Sequence, residues 1–110
     1  MSDVQQRIDQ LVKGHAVVLF MKGTAQFPMC GFSSRAAQSL KNVGASFHSV
    51  NVLEDPEIRA NLPQYANWKT FPQLFVHGEL IGGSDIVADL EASGELKRIV
   101  DEARVQAGAA

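Results

Sequence analysis

A chain of 110 residues with a formal net charge of −2 and one cysteine is long enough for one domain with a single core and no covalent staples. Its charge gives no electrostatic basis for binding nucleic acid, no Lys/Arg run marks an anionic membrane surface, and its longest apolar run, Ala16 to Met21, is far too short to span a bilayer. One cysteine cannot close an internal disulfide, and Met1 to Arg7 lacks the basic and apolar regions of a signal peptide, so a cytoplasmic chain in a reducing compartment is expected.

Ser2 stands in capping-box register with Gln5 ahead of apolar Val4, Ile8, Leu11 and Val12, which predicts an amphipathic helix ending near Gly14. Ala16 to Met21 has the continuous apolar pattern of a central strand covered on both faces. A loop containing Gly23, Thr24 and Pro28 then leads to Cys30, at the head of a helix-period pattern of Phe32, Ala36, Leu40 and Val43 that Gly44 should stop. Ser46 to Val52 alternates with period two, with Phe47 and His48 on opposite faces, and reads as a half-exposed strand parallel to the first because a helix joins them.

Asp55-Pro56 is an N-cap followed by the residue best suited to a first helical position, and the helix should run to about Ala66 carrying Ile58, Arg59 and Leu62. Leu74-Phe75-Val76, the turn His77-Gly78 and Leu80-Ile81 form a hairpin pattern. After Gly82-Gly83, Ser84 or Asp85 caps a helix with Ile86, Val87 and Leu90. Leu96, Ile99, Val100 and Ala103 mark a last amphipathic helix, whose tail after Gln106 is expected to fray. The order predicts a single α/β domain over residues 1–110, with a central four-stranded mixed sheet flanked by helices, which is the order of the thioredoxin fold.

The predicted position of Cys30 has chemical meaning. Unpaired backbone N–H groups and the positive end of the dipole at a helix N-terminus favour a thiolate, which is both nucleophile and metal ligand. The plainer reading is a buried cysteine packing as a small hydrophobe. Gly31, Ser33, Ser34 and Lys22 nearby favour the reactive one.

Cys30-Gly31-Phe32-Ser33 is preceded by Met21-Lys22-Gly23-Thr24 and followed by Trp68-Lys69-Thr70-Phe71-Pro72-Gln73-Leu74 and Gly82-Gly83-Ser84-Asp85. Together these resemble a monothiol glutaredoxin of the Cys-Gly-Phe-Ser class, over nearly the whole chain. The resemblance implies a thioredoxin fold, glutathione binding, and a two-iron two-sulfur cluster bridged between the two protomers of a homodimer. It also implies partnership with BolA-like proteins and iron–sulfur client proteins. Two positions depart from the pattern: Ala25 replaces a frequent proline, loosening the loop, and Ser84 replaces a frequent cysteine, removing second-thiol chemistry while leaving backbone groups to bind.

Each part of glutathione has a candidate partner. Lys22 and Arg59 resemble the family's clamp for the glycyl carboxylate, through charge-assisted hydrogen bonds, although either could be a solvated surface cation. Thr70 lies in the motif that carries Phe71-Pro72. By resemblance Pro72 is cis and frees the Phe71 backbone to pair with the cysteinyl part like an added strand; a trans proline opening a strand is the alternative. Backbone N–H groups at Ser84 and Asp85 can hold the γ-glutamyl carboxylate while Asp85 meets its ammonium, or these residues only cap the helix. Gly83 allows close approach of a ligand or simply ends the strand. Phe32 and Trp68 read most simply as core residues, whereas the resemblance places Phe32 exposed beside the thiol. His15, His48 and His77 show no ligand spacing, and Glu54, Asp55 and Glu57 are explained by helix-start electrostatics.

Two mechanisms from one thiol are expected in this order. A cluster of this kind needs four thiolates; two protomers supply two and two glutathione molecules the others, with Cys30 as the metal ligand. Second, Cys30 could act catalytically as a glutathione-dependent thiol–disulfide oxidoreductase on protein–glutathione mixed disulfides, a reaction that Ser33 cannot resolve internally. An adaptor surface without redox chemistry ranks third.

Overall fold

The computed structural model describes residues 2–108. Helix α1 (Asp3–Gly14) is followed by strand β1 (Val17–Met21), α2 (Gly31–Asn42), β2 (His48–Asn51) and α3 (Pro56–Ala66). The hairpin β3 (Gln73–Val76) and β4 (Glu79–Gly82) precedes α4 (Ser84–Ala92) and α5 (Glu95–Gly108). The tail expected to fray after Gln106 is helical to Gly108, and Ala109 and Ala110 lie outside the described residues.

The sheet has the order β2-β1-β3-β4, with β1 parallel to β2 and antiparallel to β3. All five residues of β1 are buried, as its apolar run requires. Their alternation divides them between two cores. Val17, Leu19 and Met21 face α2, α4 and α5 through Ala36, Leu40, Val87, Leu96 and Val100, whereas Val18 and Phe20 face α1 and α3 through Ile8, Val12, Ile58 and Leu62. Burying each large aliphatic or aromatic side chain contributes about 1.5–3 kcal/mol, and the two cores hold the central strand rigidly between helical layers. This is the thioredoxin fold that the element order predicts.

Local chemistry sets the boundaries. Ser2 accepts from the Gln5 N–H and Gln5 reaches back to Ser2, completing the capping box. Asp55 caps α3 by accepting from the Ile58 N–H at 3.2 Å, with Pro56 at the first helical position. His77 and Gly78 both take positive φ in the hairpin turn. Strand β2 is shorter than the alternation predicts, since it begins only at His48. Helix α4 is capped by Gly83, not by Ser84 or Asp85, and Ser84 is its first helical residue. Long-range pairs then tie α1 to α3. Arg7 donates to both Asp55 carboxylate oxygens at 2.8 and 3.1 Å, and the Tyr65 hydroxyl donates to Asp9 at 2.7 Å. Burial, aided by Asp9, pushes the Tyr65 pKa up to about 12.

Candidate functional site

The C-terminal end of β1, the N-termini of α2 and α4, one side of α3 and the loop before β3 enclose a groove of about 780 Å³. Lys22, Cys30, Phe32, Arg59, Thr70, Phe71, Pro72, Gly83, Ser84 and Asp85 all line it, so every candidate site residue reaches one place.

Cys30 is the N-cap of α2 and half-buried. Its pKa lies below the ordinary thiol value, chiefly because the Ser33 N–H donates to it; the Phe32 N–H, the Ser33 hydroxyl and the charge of Lys22 act in the same direction, and partial burial opposes them. Ser33 is itself fully buried, and its hydroxyl accepts from the Lys22 N–H at 3.0 Å. One serine therefore couples the strand end to the thiol.

The loop between Lys22 and Cys30 is held from several sides. Met29 N–H donates to Lys22 O at 2.9 Å, Phe27 N–H to Thr24 Oγ1 at 2.9 Å, and Lys41 Nζ to Ala25 O at 2.6 Å. Gly23 has φ +91°, and a Cβ there would lie 2.5 Å from the Met29 backbone nitrogen, which excludes any other residue without displacement of the loop. Despite Ala25 in the place of a proline, the loop is pinned. It presents Phe27 and Met29, 77% and 72% exposed, beside Phe32 at 59%. Phe32 is thus not a core residue: it occupies the first turn of α2, which overhangs the groove and not the sheet.

Opposite the thiol, the Phe71–Pro72 bond is cis. Neither the N–H nor the C=O of Phe71 has a hydrogen-bond partner among the described residues, leaving an open donor and acceptor on the groove wall. Gln73 holds this wall from behind, its Nε2 donating to Trp68 O at 2.8 Å and Thr70 O at 3.3 Å. Lys22 and Arg59 place positive charge on the groove, and Asp85, its side chain 86% exposed, meets Arg35 at 3.6 Å.

The sequence model of the Glutaredoxin family matches residues 17–81. Glutaredoxin 4 of Escherichia coli K12 is 46% identical over 102 residues, covering 93% of this chain and 89% of that protein. The chain belongs to the glutaredoxin family. With one cysteine, followed by Gly-Phe-Ser, this glutaredoxin falls in the monothiol branch: monothiol glutaredoxin-S11 of Oryza sativa subsp. japonica is 50% identical over 99 residues, 90% of this chain and 20% of that longer protein. The crystal structure of a buckwheat glutaredoxin–glutathione complex superimposes with a TM-score of 0.79 at 27% identity, covering 94% of this glutaredoxin and 96% of that chain.

Four further residues line the groove of this glutaredoxin: Pro63, Trp68, Lys69 and Ile86. Trp68, which reads as core in the sequence, is half-buried in the wall, and Lys69 beside Thr70 adds a third cation to it. Ile86 reads as core by helical period, yet it is 37% exposed and lies against Gly82 at the groove edge. Its position three residues from the N-cap was the available signal. The scattered histidines stay outside the site, although His15 and His48 stack with ring centroids 4.0 Å apart. Among the described residues, no group of three or more His, Cys, Asp or Glu forms a metal site, and no helix is long and apolar enough to cross a membrane.

Proposed function

We propose that this monothiol glutaredoxin binds glutathione in the groove and carries a two-iron two-sulfur cluster as cargo between two protomers. The observation that carries the reading is the convergence on one groove of the Cys30 thiol, the Lys22 and Arg59 cations, the open Phe71 backbone and the N-terminus of α4. Each matches one part of glutathione: the clamp takes the glycyl carboxylate, Phe71 the cysteinyl backbone, and Ser84 and Asp85 the γ-glutamyl head. So held, the glutathione thiol lies beside Cys30.

The donors of one chain suit a shared cluster. Cys30 offers one thiolate of the four required, and a bound glutathione adds a second, so two glutathione-loaded protomers complete the set. The exposed apolar rim of Phe27, Met29 and Phe32 around Cys30 supports a protein partner on this face, be it a second copy, a BolA-like protein or an iron–sulfur client. Cargo transfer in the cytoplasm, serving cluster biogenesis and iron homeostasis, follows from that reading.

The lowered pKa of Cys30 favours a second activity. The thiolate attacks the glutathione sulfur of a protein–glutathione disulfide and the protein thiolate leaves. A second glutathione thiolate then attacks the Cys30 mixed disulfide, releasing oxidised glutathione. With Ser33 in place of a resolving thiol, the rate depends on free glutathione.

Anaerobic cluster reconstitution, followed by visible absorption and solution mass, tests the reading. Sulfide-to-iron bands and a doubled mass are expected only with glutathione present, and Cys30→Ser is expected to abolish both. A colourless monomer with glutathione would reject the carrier and leave deglutathionylation, assayed at saturating glutathione, as the activity to measure.

A further inference from the structure

The chain has three methionines. Met1 lies outside the described residues, and Met21 closes β1 with its side chain fully buried in the core. Met29 is the opposite case: it is 72% exposed, one residue before Cys30, and sits with Phe27 and Phe32 on the apolar rim. The loop does not let it fold away. Gly23 and Pro28 form an antiparallel bridge, the Met29 N–H donates to Lys22 O at 2.9 Å, and a Cβ on Gly23 would lie 3.0 Å from the Met29 Cγ. The stem of the side chain thus rests on Gly23 while the rest is open to solvent.

Peroxide turns a thioether from an apolar group into a polar one without touching the backbone. The sulfur attacks one peroxide oxygen; an S–O bond forms as the O–O bond breaks, the sulfur is oxidised by two electrons, and the other oxygen leaves as water with both protons. The sulfoxide oxygen is hydrated on a free surface. Beneath a docked protein it must give up that water, and the side chains of Phe27 and Phe32 beside it donate no hydrogen bond in exchange. The change is reversible, since a methionine sulfoxide reductase removes the oxygen as water while a dithiol is oxidised to a disulfide.

Building on the cluster-carrier reading above, we propose that Met29 is a site of reversible oxidation by peroxide, and that its sulfoxide keeps the rim from docking against a second copy of this chain. Thioether and thiol then report different states. Cys30 is withdrawn from peroxide whenever glutathione is joined to it, whereas Met29 is withdrawn only when a partner covers the rim. A free protomer whose thiol is already occupied therefore still responds to the oxidant.

The full chain is treated with hydrogen peroxide while Cys30 is held as its mixed disulfide with glutathione, and the thiol is then freed with dithiothreitol. Peptide masses are expected to show one added oxygen at Met29 at least about tenfold faster than at Met21, the buried reference in the same chain. In anaerobic cluster reconstitution with glutathione, the oxidised chain is expected to form the doubled-mass species about tenfold less tightly than the untreated chain, and methionine sulfoxide reductase should restore it. Met29→Leu has no sulfur to oxidise at this position, so its dimerisation should be the same before and after peroxide, whatever its starting level. Oxidation of Met29 no faster than Met21, parent-level dimerisation of the sulfoxide chain, an equal loss in Met29→Leu, or loss of the thermal unfolding transition on oxidation each overturns the proposal and leaves the carrier reading standing. No dimer from the untreated chain overturns the carrier reading and the docking half of the proposal with it, and the peptide masses still decide whether Met29 is the modified site.

Discussion

Cys30 owes its thiolate character to neighbours within a few residues: the Ser33 and Phe32 N–H groups, the Ser33 hydroxyl and the Lys22 charge outweigh partial burial. Alkylation by iodoacetamide should therefore follow a pH midpoint below the free-thiol value of about 8.5. Ser33→Ala should raise that midpoint only part-way, since the backbone donor remains; a midpoint unchanged from free cysteine in the parent would refute the assignment. The fold prefers the thiolate, so this contribution to stability is present above the unfolded thiol pKa and is lost as pH falls through the lower folded value. Much of this was legible in the sequence, because a helix N-terminus is a local feature. Phe32 was legible only through the motif, whose resemblance placed it exposed beside the thiol: its period groups it with Ala36 and Leu40, and period alone does not reveal that the first turn of α2 extends past the sheet.

Among the elements, α3 shows how local and distant causes combine. Asp55 and Pro56 announce its start in the sequence, but the Arg7 pair that secures Asp55 spans 48 residues and leaves no local sign. Arg7 is also the main cause of the lowered Asp55 pKa. Asp55→Ala should cost about 1–2 kcal/mol through loss of the cap, measured by urea unfolding. The Asp55 contribution is present above the unfolded carboxylate value of about 3.9 and lost as pH falls through the folded value. Arg7→Ala should therefore flatten the acid limb of the stability profile. The cap of α4, expected at Ser84 or Asp85 because both are better caps by type, lies one or two residues earlier, and only tertiary position shows that Gly83 takes the role and leaves the Ser84 hydroxyl unpaired.

Over the whole molecule, the sheet order brings together groove residues from five separate stretches, and the motif spacing made the set legible before their geometry was known. The walls contributed by Pro63, Lys69 and Ile86 were not, since each joins the groove through the packing of its own element. Asn51, at the end of edge strand β2, links the groove to the sheet margin. Its Oδ1 accepts from both the Gly23 and Leu53 N–H groups at 3.0 Å, and the next residue, Val52, donates to Met21 O at 2.9 Å. The reactive loop and the edge strand thus share one fastening, and their amides should exchange with solvent as a unit. Asn51→Ala should accelerate deuterium uptake at Gly23 and Leu53 together while the amides of β1 that pair with β3 keep their protection. The breathing of an outer strand, not of the core, then sets how often the segment leading to the thiol comes free.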